Sequence, residues 1–135
     1  MSSAPTIMND PLPTEGELAI LRALWSLGAP ATVRQVHEEL LRSKDTAYTT
    51  VLKMLSIMTD KQLVARDDSE RSHRYTPLYS EPVVQSSMLR SFVANAFSGS
   101  AFKLVQRALD DGQASPEELD AIARLIAQAK SRRPS

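Results

Sequence analysis

Residues 45–55 read DTAYTTVLKML, and the distribution of these side chains around a helix decides the fold. At about 100° per residue, Ala47, Val51, Met54, Leu55 and Met58 fall on one face. Thr46, Thr49, Thr50, Lys53, Ser56 and Asp60 fall on the other, with Tyr48 and Leu52 at the border. Exposed helix faces are usually built from Glu, Lys, Gln and Arg, whereas Thr loses rotamer freedom in a helix. Between Thr46 and Thr59 there is one lysine and no acid. A major groove accounts for such a face. It admits a helix, short hydroxyls let the backbone approach closely, Thr methyls meet thymine methyls, and lysine reaches guanine acceptors or a phosphate. Thr46, Thr49, Thr50 and Lys53 are therefore candidate DNA contacts. Taken alone, the face also fits a plain solvated surface, so its setting matters.

Upstream, TEGE at 14–17 forms a capping box, and Leu18, Leu21, Leu24 and Trp25 follow at helical spacing until Gly28 and Pro30. A second capping box, TVRQ at 32–35, opens a helix that buries Val33, Val36 and Leu40, with His37 or Leu41 completing that side. A polar turn, RSKD at 42–45, leads to the third helix, for which Asp45 is the expected cap and residue 61 the end. Downstream, residues 63–67 and 72–76 suit strands, and DSER at 68–71 suits the turn between them, so a two-stranded hairpin is expected before Pro77. Three helices followed by a hairpin form the pattern of a winged helix-turn-helix. Arg71 and Arg74 on the wing, and Arg34 near the start of the second helix beside its free amides, are candidate phosphate contacts. His73, Trp25 and Tyr75 read as surface or packing residues.

From Ser80 the texture changes. Pro82 opens a helix carrying Met88, Leu89, Phe92 and Phe97, SGS at 98–100 breaks it, and a helix over 101–111 with Phe102 ends at Gly112. SPEE at 115–118 is a third capping box with proline at the favoured first position, and Leu119, Ile122 and Ile126 line the last helix. These helices carry more apolar surface than so short a unit keeps exposed alone. A homodimer interface built from Met88, Leu89, Phe92, Phe97, Phe102, Leu119, Ile122 and Ile126 is the expected use. The chain is thus expected to be mainly α: a leader over 1–12, a winged-helix DNA-binding domain over 13–79, a three-helix dimerisation domain over 80–131, and a tail over 132–135.

Composition narrows the function. The 135 residues hold 16 Lys and Arg against 16 Asp and Glu, so nonspecific DNA affinity should be modest and useful binding should depend on shape and on pairing. There is no cysteine, which excludes disulfides and thiolate chemistry. His37 and His73 lie far apart, so no metal and no cofactor is expected. The adjacent acid pairs at 38–39, 110–111 and 117–118 diverge around their helices and do not converge on a substrate. No catalytic constellation stands out, and an enzyme is not expected. The N-terminus lacks the basic start and apolar middle of a signal peptide, no apolar run is long enough for a span, and a cytoplasmic location is expected. Two other classes fit the same sequence: a winged helix that docks proteins, which zero net charge allows, and a regulator whose helical region binds a small effector among Phe92, Phe97 and Phe102.

The stretches PLPTEGELAILRALWSLGAPATVRQVHEEL, AYTTVLKML, LVARDDSERSHRYTPL, FSGSAFKLVQRAL and SPEELDAI together resemble the penicillinase-repressor family, the BlaI/MecI/CopY group of bacterial transcriptional regulators, from Leu12 to Lys130. The resemblance implies a homodimer whose winged helix binds a palindromic operator. It also implies derepression in which a membrane sensor-protease that detects β-lactam leads to cutting of the C-terminal region. AYTTV then places Tyr48, Thr49 and Thr50 at the start of the recognition helix, followed by Lys53. Family members often have glycine where Gln62 stands, so here a non-glycine residue must end the helix. Arg107-Ala108 occupies the position of the cleaved Asn-Phe pair of the best-known members. The C-terminal cysteines of copper-responsive members are missing, which disfavours that mechanism.

Overall fold

The structure is a computed structural model that describes residues 10–133. Its described elements are α1 (Glu15–Leu27), β1 (Ala31–Thr32), α2 (Val33–Leu41), α3 (Tyr48–Asp60), β2 (Val64–Asp67), β3 (Arg74–Pro77), α4 (Glu81–Ala96), α5 (Ala101–Asp110) and α6 (Pro116–Arg132). The mainly helical, winged-helix architecture expected from the sequence is the one observed. Residues 1–9 of the expected leader and 134–135 of the expected tail lie outside the described residues.

All three capping boxes form, with Thr14, Thr32 and Ser115 each accepting from the backbone N–H three residues on and receiving the reciprocal carboxylate or amide. The third helix departs from expectation at its start. Asp45 does not cap it, because the helix begins later, with Ala47 at the cap position in an extended conformation and no side-chain cap bond. At its end the chain turns through Gln62, whose φ of 63° lies in the left-handed region, and the Leu63 N–H returns to the Met58 carbonyl at 2.9 Å. Helices often end this way at a glycine, and Gln62 adopts the conformation without one.

The sheet has one more strand than the expected hairpin. Its order is β1-β3-β2, with Ala31 opposite Tyr75 and Thr32 opposite Arg74 on one side, and Val64 opposite Pro77 through Asp67 opposite Arg74 on the other. Residues 63 and 72–73 fall outside the strands, but Leu63 is buried and its carbonyl accepts from the Leu78 N–H at 3.0 Å.

The chain divides after Leu89 into two compact units. In the first, Ile20, Leu21 and Leu24 of α1, Val36 of α2, Val51, Leu55 and Met58 of α3, Val64, Tyr75, and Val84 of α4 form one buried cluster. Leu40 and Met88 pack partly against it, His37 is half-buried, and Leu41 faces solvent. The Trp25 indole N–H donates to the Tyr79 carbonyl at 3.2 Å. Pro11 is buried, and its carbonyl accepts from the buried Ser87 hydroxyl at 2.6 Å, so the chain is held from the last residues of the expected leader onward. In the second unit, Phe92 and Phe97 meet edge to face at 5.5 Å, while α5 and α6 contain no buried residue.

One buried charge joins the N-terminus of α1 to the C-terminus of α3. Glu17 is 5% exposed, and its carboxylate oxygens accept from Lys61 Nζ at 2.8 and 2.9 Å and from the Thr14 N–H at 2.9 Å. Burial pushes the Glu17 pKa up, but the hydrogen bonds and charge of Lys61 and the Thr14 N–H outweigh it and hold the carboxyl below its ordinary value. A depressed folded-state pKa contributes stability above the unfolded value, and the contribution is lost as pH falls through the folded one. Glu17→Gln should therefore cost about 1–3 kcal/mol at neutral pH, toward the lower end because Lys61 is half exposed. Urea titrations should find the gap to wild type closing as the pH falls below the ordinary carboxylate range. In the same assay Gln62→Gly should stabilise by up to about 1 kcal/mol by relieving the left-handed backbone, and Gln62→Val should destabilise.

Candidate nucleic-acid interface

Burial of Val51, Leu55 and Met58, none of which is measurably exposed, turns Thr49, Thr50, Lys53, Ser56 and Asp60 outward, as the periodicity predicts. Three large hydrophobic side chains share this exposure: Tyr48 and Leu52, expected at the border, and Ile57, which the helical pattern left unassigned. Lys53 makes no ion pair or hydrogen bond among the described residues. Thr46 lies just before the helix and is half-buried, with its carbonyl accepting from the His37 ring N–H at 2.7 Å.

A groove separates the start of α3 from the wing. Arg34 enters it from α2, Tyr48 and Leu52 from α3, and Arg71 and His73 from the wing loop. The fold thus brings Arg34, Tyr48 and Arg71, distant in sequence, around one depression that opens beside the hydroxyl face. On the opposite flank Thr50 and Met54 line a second crevice between α1 and the α2–α3 turn.

The charges around the groove are unequal. Arg34 approaches Glu38 at 3.9 Å with both side chains mostly solvated, a pairing that contributes little. On the wing, Arg66 is held by Asp68 at 2.8 Å, and the Asp68 charge raises the Arg66 pKa further. His73 Nδ1 stands 3.6 Å from the same carboxylate. Arg74 pairs with Glu70 at 3.4 Å. The Asp67 carboxyl is held below its ordinary value by the Ser69 backbone N–H and hydroxyl, and by the charge of Arg74, so it stays ionised beside them. Arg71 has no such partner among the described residues. Of the two wing arginines expected to meet DNA, Arg71 is presented to the groove and Arg74 is engaged with Glu70 at the β1–β3 pairing.

The residues assigned to dimerisation mostly lie open. Leu89, Phe92, Phe102, Leu119 and Ile126 are between 45% and 73% exposed, Phe97 and Ile122 are half-buried, and Met88 packs in part on the core of the first unit. Leu125, which the amphipathic pattern of the last helix includes, and Val105 and Leu109, which the sequence pattern did not assign, extend the exposed apolar surface of α5 and α6. Arg107 is exposed and 3.6 Å from Asp111, Ala108 is half-buried, and both lie within α5. Among the described residues no group of His, Asp and Glu could hold a metal ion, and no helix is long and apolar enough to cross a membrane.

Comparison with known proteins adds a family. A model described as "Penicillinase repressor" matches residues 13–128. The chain is 34% identical over 116 residues to transcriptional regulator BlaI of Mycobacterium tuberculosis strain CDC 1551 / Oshkosh, which covers 85% of this chain and 83% of that protein. BlaI of strain ATCC 25618 / H37Rv matches to the same extent. Among solved structures, a mutant of S. aureus MepR is 19% identical with a TM-score of 0.49, over 90% of this chain and 81% of that one. MepR, described as a transcription regulator of the Staphylococcus aureus multidrug efflux pump MepA, is 17% identical with a TM-score of 0.42, over 86% and 76%. Likenesses that loose carry no argument about function.

Proposed function

Since the chain belongs to the penicillinase-repressor family, we propose that it is a cytoplasmic, dimeric transcriptional repressor that binds a palindromic operator through α3 and the wing. The observation that carries this reading is the outer face of α3. It is hydroxyl-rich, bears a lysine unpaired among the described residues, and borders a groove lined by Arg34 and Arg71. In the major groove Thr49, Thr50 and Lys53 meet base edges, Thr46 and Tyr48 sit where the helix enters, and Arg34, Arg71 and Arg74 lie toward the sugar-phosphate backbone. No side chain caps α3, so the first-turn amides of Tyr48 and Thr49 remain available to an anionic partner.

Pairing supplies the affinity that charge does not. Around α3 and the wing each copy offers few cations unpaired among the described residues, so two readers coupled by α4, α5 and α6 hold a twofold site through effective concentration. Burying the exposed apolar side chains of α5 and α6 against a second copy accounts for helices that contain no buried residue. Release then follows from cutting the C-terminal region after a signal such as β-lactam, with a sensor-protease as the partner. Because Arg107 and Ala108 lie inside α5, a protease that needs extended backbone reaches this bond only when the helix opens. Cleavage would separate the copies and leave both DNA-reading faces unchanged.

Two experiments test this. Lys53→Ala and Thr49→Ala should each weaken operator binding by about tenfold while the protein sediments unchanged, and wild-type affinity in both variants would remove α3 as the reading helix. Ending the chain before Ser115 should lower self-association before it lowers the stability of the winged helix. A truncated protein that sediments as a full-strength dimer would remove the assigned role of α6.

A further inference from the structure

The start of α3 is secured in an unusual way. A helix start is commonly fixed by a Ser, Thr, Asp or Asn at the cap, but here the cap position is Ala47, and Asp45 lies outside the helix. Fixation comes instead from the preceding helix. The His37 Nε2–H on α2 donates to the Thr46 carbonyl at 2.7 Å, and the His37 ring meets the Tyr48 ring edge to face, with centroids 5.6 Å apart and planes at 89°. A carbonyl oxygen can only accept, so Nε2 carries the proton. The other bonds of the connection, from Ser43 and Lys44 to the Leu40 carbonyl, return to α2 itself and do not hold α3. His37 thus touches Thr46, the residue before the cap, and Tyr48, the first residue of the helix, and both are among the proposed DNA contacts.

We infer that His37 is a positioning residue for sequence reading: it sets the register of the first turn of α3 against α2 without touching DNA. This rests on the DNA-binding reading above and deepens it. Base-edge hydrogen bonds demand accurate placement of the side chains that make them, whereas attraction to phosphates tolerates small shifts. Loss of the His37 bond should therefore erode preference for the operator and leave general duplex affinity in place. A merely structural role would weaken both together.

The test uses the full chain with two duplexes of equal length at fixed salt, one carrying the operator and one the same bases scrambled. His37→Ala should lose about tenfold in operator affinity and keep affinity for the scrambled duplex within about twofold. His37→Gln, which can offer an N–H at similar reach, should recover most of the discrimination. His37→Phe, which keeps a ring against Tyr48 but no donor, should recover less. Unaltered operator affinity in His37→Ala, parallel losses on both duplexes, or a Phe variant that discriminates as well as Gln would each overturn the inference. Should the Ala variant fail to fold, the Gln and Phe pair still decides. Wild-type protein that shows no preference for the operator would overturn the DNA-binding reading itself, and the role of His37 with it.

Discussion

The stripe of Val51, Leu55 and Met58 is completely withdrawn from water, and it determines what the rest of α3 can present. Because these three positions lock one side of the helix against α1 and the sheet, Thr49, Thr50 and Lys53 have nowhere to point but outward. Burying three such side chains contributes several kcal/mol, about 1.5–3 each, far more than a rotated helix would gain by hiding threonines. The polarity of α3 is thus a packing consequence. The half-buried Glu17–Lys61 contact fixes the far end of the same helix to α1, and the His37–Thr46 bond fixes the near end to α2. Both ends of α3 are therefore held by polar contacts from neighbouring helices, and its middle by apolar ones.

Charge does less than the family setting would suggest. The chain is formally neutral, and the wing neutralises most of its own cations: Arg66 with Asp68, Arg74 with Glu70. On the wing and the outer face of α3, Arg71 and Lys53 remain unpaired among the described residues, with Arg34 only loosely engaged. A monomer built this way has little nonspecific hold on a duplex. In the proposed dimer, the surplus of exposed apolar side chains on α5 and α6 complements that weakness, because pairing of copies raises affinity without adding cations.

The sequence makes the local parts legible and the long-range parts obscure. Capping boxes at Thr14, Thr32 and Ser115 are four-residue devices, readable directly and all formed. The buried stripe of Val51, Leu55 and Met58 follows from periodicity, but Ala47, assigned to the same face, is exposed at the cap position, and Thr46, assigned to the outer face, is half-buried. The third strand does not follow from periodicity, since Ala31–Thr32 is a strand only by pairing with Tyr75 and Arg74, more than forty residues away. Asp45 looks like a cap by residue type, but the chain enters α3 two residues later under the hold of His37, a contact no local pattern announces. Pairings within the wing are equally hidden. Arg71 and Arg74 look alike in RSHR, and only the register of β3 sends one to the groove and the other to Glu70. The bond between Ser87 and Pro11 spans most of the first unit and has no sequence signal at all.

In the proposed complex the outer face of α3 enters the major groove of DNA twice, once from each copy of the chain. A base-interference footprint of the full-length protein on the DNA upstream of its own gene tests this most directly. Two dyad-related patches of major-groove interference are expected, centred about 34 Å or a multiple of that apart. A single asymmetric patch, interference confined to the minor groove, or no protected site would contradict it.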